Sequence, residues 1–511
     1  MKEQIPPILR PINVTPVAID ALAAKFDLKL ISGDPHTMVT GISMNTNDLR
    51  EGDLFVAMPG LKTHGANFVA KAIELGAGAV ITDSAGLDLV GEIGVPLMRL
   101  EQPRLHLGDL AAFVYGNLPD AMPLVFGTTG TNGKTSTSYI LEAILRQLGE
   151  VTGLTSTAER HIAGEVIVSR LTTPESTEMQ ALIARMREAK VTAVAIEVSA
   201  QALTQHRIDG LAFDVVGFTN LSHDHLDDYK DMAEYLDAKA QLFQSKRAKR
   251  GVVCLDSEFG EAFAAKSEIP YVTVATGKPA DYKVTVTEEI PARTGFDVRL
   301  PDGSAISSWL PIIGAHMASN AGLAIAMLIE AGFEPDQVRK AVAGGIHAYL
   351  PGRTERVTGS TGPDVYVDFG HSPDAFLNTL RAVRKVTRGK VIMLFGADGD
   401  RDASKRPAMA SVSAENCDIL VVTDHHPRFE DPASIRKVLV DSARAARPDL
   451  EIYEVSPPEE AIIKAVSLAK EGDAILWAGP GHQDYRDIRG VRTPYSARAL
   501  ARAALKAAGW S

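Results

Sequence analysis

The sequence predicts an α/β protein of three domains: a small N-terminal α/β domain, a central parallel sheet of the P-loop ATPase type and a C-terminal Rossmann-like, doubly wound domain. Three observations predict it. At 511 residues the chain is too long for a single hydrophobic core. From Leu124 onward, short apolar runs alternate with longer helical stretches, the pattern of a parallel sheet wrapped by helices. Breaks rich in Gly and Pro, at residues 116–123 and at Leu350-Pro351-Gly352-Arg353, interrupt that pattern twice. They place the domains at residues 1–122, 123–347 and 348–511.

In the first domain a strand-like run at 53–57 is followed by a helical stretch at 67–75 and an apolar run at 79–82. In the second, strands are expected at 124–126, 193–197, 215–219 and 252–255, with a helix beginning near Ser136. Residues 282–310 read as further strands separated by Pro and Gly turns, an extension of the central sheet, and helical character returns at 321–331. In the third domain, runs at 365–368, 391–395, 419–423 and 474–478 read as strands, and the Ala-rich stretch at 497–508 as a terminal helix.

Composition narrows the function classes. Hydrophobic residues at 45% and charged residues at 23% exclude a disordered chain. A net charge of -11 opposes binding to nucleic acid or an acidic membrane, although small anions can still bind where positive groups converge. Cys254 and Cys417 are too few for a disulfide framework, which fits a reducing cytoplasm. No apolar run approaches the roughly 18 residues of a membrane span, and the N-terminal stretch lacks a signal-peptide core.

The strongest local signal is Gly127-Thr128-Thr129-Gly130-Thr131-Asn132-Gly133-Lys134-Thr135, between a strand and a helix. Glycines let backbone amides close on phosphate oxygens, Lys134 neutralises phosphate charge and Thr135 offers a hydroxyl to Mg²⁺. ATP or GTP is the expected ligand. Gly127 stands one residue earlier than the common GxxxxGKT spacing allows. Glu197, at the end of a presumptive strand, is placed either for magnesium or as a solvated cap. The segment Thr219-Asn220-Leu221-Ser222-His223-Asp224-His225-Leu226-Asp227 concentrates imidazoles and carboxylates, which suits metal or phosphate chemistry or a hydrogen-bonded turn.

Taken in order along the chain, these segments resemble the Mur ligase family, in its branch that adds the third residue of a cell-wall peptide. The resemblance rests on the loop above, Leu171-Thr172-Thr173-Pro174-Glu175, Glu197-Val198-Ser199 with Gln205-His206-Arg207, and Asn220 with Asp224-His225-Leu226-Asp227. It continues through Ala238-Lys239-Ala240-Gln241-Leu242-Phe243, Pro351-Gly352-Arg353, residues 368–375 and Gly399-Asp400-Arg401-Asp402 with Lys405-Arg406-Pro407. It implies an ATP-dependent ligase with a UDP-binding first domain, an ATPase middle domain and a third domain that receives the amino acid. The implied substrates are UDP-N-acetylmuramoyl-L-alanyl-D-glutamate and a free amino acid, joined through an acyl phosphate, in a cytoplasmic monomer.

The resemblance further implies catalytic roles for Lys134, Lys239 and His225, and carbamylation of Lys239. It places Mg²⁺ among Thr135, Glu197, His225 and Lys239, because an unmodified ammonium there would repel the metal and a carbamate would bind it. By itself Lys239 reads as a solvated helix lysine. Asn320, Arg353 and Asp368 are expected to join the loop at ATP. Thr172, Thr173, Ser199, Gln205 and Arg207 are expected to hold the muramoyl peptide, and Thr46 to hydrogen-bond the nucleotide of the same substrate; without the resemblance, Thr46, Thr172 and Thr173 read as polar turns and Arg207 as a salt bridge.

For the incoming amino acid the resemblance points to Arg401, His425, His426, Arg428, Gly479 and Gln483. Diaminopimelate-adding relatives have Asp-Asn-Pro-Arg and Gly-Lys-Gly-His-Glu where this chain has His425-His426-Pro427-Arg428 and Gly479-Pro480-Gly481-His482-Gln483. Arg401 and Arg428 can pair with a carboxylate, whereas His425 and Gln483 remove two anionic partners for a distal ammonium. An altered choice of the third residue is therefore expected. Adjacent imidazoles also admit a zinc site, against which a polar pocket is the simpler reading. A folylpolyglutamate-type ligase and a non-catalytic nucleotide-responsive scaffold are the competing functions.

Overall fold

The computed structural model describes residues 8–224 and 228–510. Its N-terminal sheet runs in the order Lys29–Ser32, Leu97–Arg99, Ala79–Thr82, Asp53–Ala57, Gly41–Ser43. The run at 53–57 is a strand buried at every position, as its apolar character demands.

The central sheet has eleven strands. Seven lie parallel, in the order Thr152–Thr155, Ala193–Glu197, Leu124–Thr129, Phe213–Phe218, Ala248–Cys254, Tyr271–Ala275, Tyr282–Ile290. Antiparallel strands flank both ends. Arg293–Arg299 and Ala305–Leu310 extend one edge, as expected for residues 282–310, while the hairpin Glu159–Ile162 and Glu165–Val168 on the other edge has no counterpart in the sequence pattern. That hairpin is short, and its outer strand is exposed at three of four positions, so no long apolar run marks it. One face of the sheet is covered by the helices Lys134–Gln147 and Ala315–Glu330, whose apolar residues form a single core with the strands beneath.

In the third domain the strands Asp364–Asp368, Ala474–Ala478, Val391–Phe395, Ile419–Val422 and Glu451–Glu454 run parallel in that order, with cores on both faces. The sequence pattern misses Glu451–Glu454, a half-exposed edge strand with a Glu at each end. The expected terminal helix is present at Ala497–Ala507.

The turn at Leu350-Pro351-Gly352-Arg353 is built around a close approach. Gly352 has φ +61°, and a Cβ there would lie 2.1 Å from the Gly481 carbonyl carbon. Only glycine lets this turn pack on Gly479-Pro480-Gly481 and so aim Arg353 back into the central domain.

Candidate active site

The parallel strand Leu124–Thr129 ends in a tight loop that runs into the helix Lys134–Gln147. The structure revises the start of that loop. Gly127 and Thr128 are strand residues, paired with Ile196 and Glu197 on one side and Val216 and Gly217 on the other. Gly127 is required by packing rather than by phosphate, since a Cβ there would lie 2.7 Å from the Phe213 ring. The early glycine is therefore a sheet residue, and the cradle proper begins at Gly130. Gly130 and Gly133 have φ of +148° and +88°, and a Cβ on Gly133 would lie 2.7 Å from Asn320 Oδ1. Loop and Asn320 thus fit each other without room for a side chain.

A cavity of about 350 Å³ opens in front of the loop. Four lysine and arginine side chains among the described residues line it, Lys134, Arg207, Lys239 and Arg353, of which Lys134, Lys239 and Arg353 meet at the loop. Lys134 Nζ donates to the carbonyls of Gly130 and Thr131 at 3.0 and 2.9 Å, and Lys239 Nζ donates to Gly130 at 2.8 Å. Lys239 also stands 4.3 Å over the Tyr235 ring. It is 1% exposed, which overturns the solvated-helix reading of this residue. Burial, and then the charge of Lys134, hold Lys239 well below the ordinary lysine value.

Arg353 stacks over Phe369 at 4.2 Å, and its Nη2 donates to Thr135 Oγ1 at 2.9 Å, while Nη1 is buried with no hydrogen-bond partner among the described residues. Thr135 Oγ1 in turn donates to Glu197 Oε2 at 3.0 Å. Glu197 also accepts from the Thr157 amide at 2.8 Å and from Thr157 Oγ1 at 3.0 Å, a partner that no sequence motif singles out. His225 lies outside the described residues. Thr135, Glu197 and a Lys239 carbamate form a set of hard oxygen donors that fits Mg²⁺, and the unpaired Arg353 nitrogen fits a phosphate oxygen.

Two further contacts bring the third domain against the loop. Lys405 Nζ donates to Asp224 Oδ1 at 3.1 Å, and Asn132 Nδ2 to Asp374 Oδ2 at 3.3 Å.

Asp368 lines the same cavity and is also held in place by the turn beside it. Its carboxylate accepts from the Thr354 amide and hydroxyl at 2.7 and 3.0 Å and from the Gly370 amide at 2.6 Å, and its carbonyl takes the amides of Gly479 and Gly481. These bonds tie Asp368 to the Arg353 turn while it still lines the cavity.

Among the residues expected to hold the peptide, Thr172, Ser199 and Arg207 line the cavity. Thr172 meets Thr157 at 3.0 Å, and Ser199 caps the helix Ala200–Thr204. Thr173 does not face the cavity. It is fully buried, donating to the Glu197 carbonyl at 2.8 Å and accepting from the Ser199 amide at 3.0 Å, so it pins the turn after the strand. Gln205 accepts from Arg207 Nη2 at 2.6 Å and holds Arg104 through its carbonyl. Arg104 and Arg207 share Glu175, a bridge between the first and second domains. Thr46 lies in a polar turn away from the cavity, where the Asn45 side chain accepts from the Asn47 amide.

Of the residues expected to take the amino acid, His425, His426, Arg428, Gly479 and Gln483 lie in loops beyond the ends of the third sheet's strands. Two loops are joined there, through Gly399 N to His426 O at 2.8 Å and Arg428 Nη1 to Gly399 O at 3.0 Å. His426 Nδ1 accepts from the Asp487 amide at 2.9 Å, which leaves Nε2 to donate to Gln483 Oε1 at 2.8 Å. Burial pushes His425 down to about 3, so its ring is neutral. A Cβ on Gly479 would stand 3.6 Å from that ring, in ordinary contact. Arg401 is exposed on the loop ahead of the helix Arg406–Asn416. Nothing in the residue pattern singles out Asp398, which lies between His425 and Arg428.

Residues 38–115 match the Mur ligase family, catalytic domain, residues 128–328 the Mur ligase middle domain, and residues 352–481 the Mur ligase, glutamate ligase domain. The chain belongs to the Mur ligase family. It is 51% identical over 509 residues to a UDP-N-acetylmuramyl-tripeptide synthetase of Leifsonia xyli subsp. xyli, with 99% of each chain covered. It is 41% identical over 504 residues to a UDP-N-acetylmuramoyl-L-alanyl-D-glutamate--2,6-diaminopimelate ligase of Streptomyces coelicolor, covering 97% of this chain and 98% of that one. A solved structure of a ligase with the latter name superposes with a TM-score of 0.68 at 24% identity, covering 97% of this chain and all of the other, which supports the three-domain α/β fold. Among the described residues no helix is long and apolar enough to cross a membrane.

Proposed function

We propose that this chain is an ATP-dependent ligase of peptidoglycan precursor synthesis that joins a third amino acid to UDP-N-acetylmuramoyl-L-alanyl-D-glutamate. Family membership and the tripeptide synthetase relative support the reaction class. The observation that carries it to these residues is the meeting of Lys134, Lys239 and Arg353 around one cavity, with Arg353 supplied by the third domain.

With the division at residues 1–122, 123–347 and 348–511, the three domains hold the UDP moiety, ATP and the amino acid respectively. The loop amides from Gly130 to Thr135, with Lys134, bind the triphosphate. The free Arg353 nitrogen takes a γ-phosphate oxygen and stabilises the charge that develops as the phosphoryl group passes to the peptide carboxylate. Thr172, Ser199 and Arg207 orient that carboxylate. The incoming amine then attacks the acyl phosphate, forms the amide bond and releases inorganic phosphate.

Mg²⁺ would be held by Thr135, Glu197, His225 and carbamylated Lys239, and supplies charge neutralisation for phosphoryl transfer. Lys239 suits carbamylation because burial disfavours its ammonium, and an amine that sheds its proton can add CO₂ and lose a second proton, turning a metal-repelling group into a metal-binding one. Arg401 and Arg428 receive the carboxylate of the amino acid. Cytoplasmic location, a monomeric state and a part in cell shape and division follow from the same reading.

Purified protein with ATP, Mg²⁺ and UDP-N-acetylmuramoyl-L-alanyl-D-glutamate should release ADP only when a suitable amino acid is added, with a product whose mass equals dipeptide precursor plus amino acid minus water. ADP release that requires a folate acceptor would select the folylpolyglutamate reading. Nucleotide binding without turnover on any acceptor would select the scaffold.

A further inference from the structure

The ligase reading leaves one half-buried anion of the third domain unused. Asp398 lies just beyond the strand Val391–Phe395, and its Oδ1 is buried with no hydrogen-bond partner among the described residues. His425 Nε2 stands 3.7 Å from Oδ1, and Arg428 Nη2 stands 3.7 Å from Oδ2. Both separations exceed a direct hydrogen bond. Arg428 is held back by its own bond to the Gly399 carbonyl.

Burial alone would raise the Asp398 carboxyl, but His425, His426 and Arg428 together hold it below the ordinary value. Of these, Arg428 is the permanent cation. Asp398 is therefore an anion at neutral pH beside a neutral His425 ring. A buried carboxylate oxygen left bare is costly unless something brings it a donor.

Resting on the ligase reading, we propose that Asp398 is the specificity-determining carboxylate of the amino-acid pocket and accepts the distal ammonium of a diamino acid, with the His425 ring as second acceptor. An ammonium has three donors, and a gap of 3.7 Å, too long for the two acceptors to bond each other, is one that a single donor group can bridge. Neither His425 nor Gln483 carries negative charge into the pocket, so Asp398 supplies it. An uncharged side chain would leave Oδ1 bare, which makes the pocket reject it.

A metal ion fits less well. Asp398, His425 and His426 can bring ligand atoms within 4.8 Å of one another. However, both nitrogens of His426 are already engaged, by the Asp487 amide and by Gln483. Two ligands then remain, short of a tetrahedral zinc site.

The test uses the full chain with ATP, Mg²⁺ and UDP-N-acetylmuramoyl-L-alanyl-D-glutamate, offered L-lysine, L-ornithine, L-2,4-diaminobutyrate, meso-diaminopimelate or uncharged L-norleucine. Initial rates of ADP release give kcat and KM, and mass identifies the product. At least one diamino acid should exceed norleucine in kcat/KM by about tenfold or more, as expected for one charge-assisted hydrogen bond. Asp398→Asn should raise KM for that diamino acid by about ten- to a hundredfold with little change in kcat, while norleucine is hardly affected. Adding His425→Asp to Asp398→Asn, which moves the carboxylate across the same gap, should recover much of the preference.

Norleucine used as well as every diamino acid would overturn the proposal, and so would Asp398→Asn with the preference intact. Stoichiometric Zn²⁺ binding to the wild type, lost in Asp398→Asn and seen by calorimetry, would overturn it in favour of a metal site. Product formed with unchanged selectivity defeats only the role of Asp398; no product with any amino acid defeats the ligase reading as well. Should Asp398→Asn melt early, the wild-type preference over norleucine decides the matter.

Discussion

His161 should make the central domain lose stability as the solution becomes alkaline. It lies on the hairpin strand Glu159–Ile162, and its Nδ1 stands 2.8 and 2.9 Å from the two carboxylate oxygens of Glu142 on the loop helix. Its Nε2 is 3.4 Å from Glu159, which also accepts from Tyr139 of the same helix at 2.9 Å. Burial would lower the imidazole, but Glu142 and then Glu159 outweigh it and carry His161 from 6.5 to about 9. That change is worth about 3 kcal/mol of folding stability. The folded form holds the proton more tightly than the unfolded chain does. The contribution is therefore complete below about pH 6.5, fades as pH rises and is gone above about pH 9.

His161→Gln keeps a polar side chain and removes the charge. At pH 6 it should melt about 6–12 °C below the wild type, taking about 2–4 °C per kcal/mol for a domain of this size. The gap should close as pH approaches 9.5. Because groups common to both proteins cancel in the difference, a gap that stays constant from pH 6 to 9.5 in thermal melts would show that the imidazolium does not stabilise the fold.

Other outcomes follow from the cavity. Lys239→Ala should lose ligation and recover part of it with added short-chain carboxylic acids, which can replace the carbamate oxygens; normal turnover without them would contradict that role. Gly133→Ala must hold φ +88° with its Cβ 2.7 Å from Asn320, and Gly127→Ala must press its Cβ 2.7 Å from the Phe213 ring. The first should weaken nucleotide binding with a modest change in melting, and the second should cost about 1–3 kcal/mol of stability by overpacking. The reverse pattern, read by calorimetry and thermal melts, would return Gly127 to the phosphate cradle. Arg353→Lys keeps a charge but loses the planar fork, and kcat should fall about a hundredfold with a smaller change in KM for the muramoyl dipeptide. Unchanged kcat would remove Arg353 from phosphoryl transfer.

Much of this protein is legible along its chain. The parallel strands are continuous apolar runs, because both faces of the sheet are covered, and Lys134 and Thr135 declare themselves through the loop that precedes them. Glu159–Val168 and Glu451–Glu454 escape because exposed edge strands have no such runs. Thr172 and Thr173 look alike in sequence, yet one hydroxyl faces the cavity and the other is consumed by the backbone of Glu197 and Ser199. Asp368 reads as a ligand, and only the folded structure adds that three hydrogen bonds to its carboxylate and two to its carbonyl tie it to the Arg353 turn and to Gly479 and Gly481.

The α/β class, the family and the phosphate loop can all be read from residue order, because they depend on patterns that are local or repeated along the chain. Three facts needed the folded arrangement: Lys239 is buried beside Lys134, Arg353 crosses from the third domain to Thr135, and Asp398 faces a neutral His425. They depend on distances between residues far apart in sequence, and burial and charge act through distance.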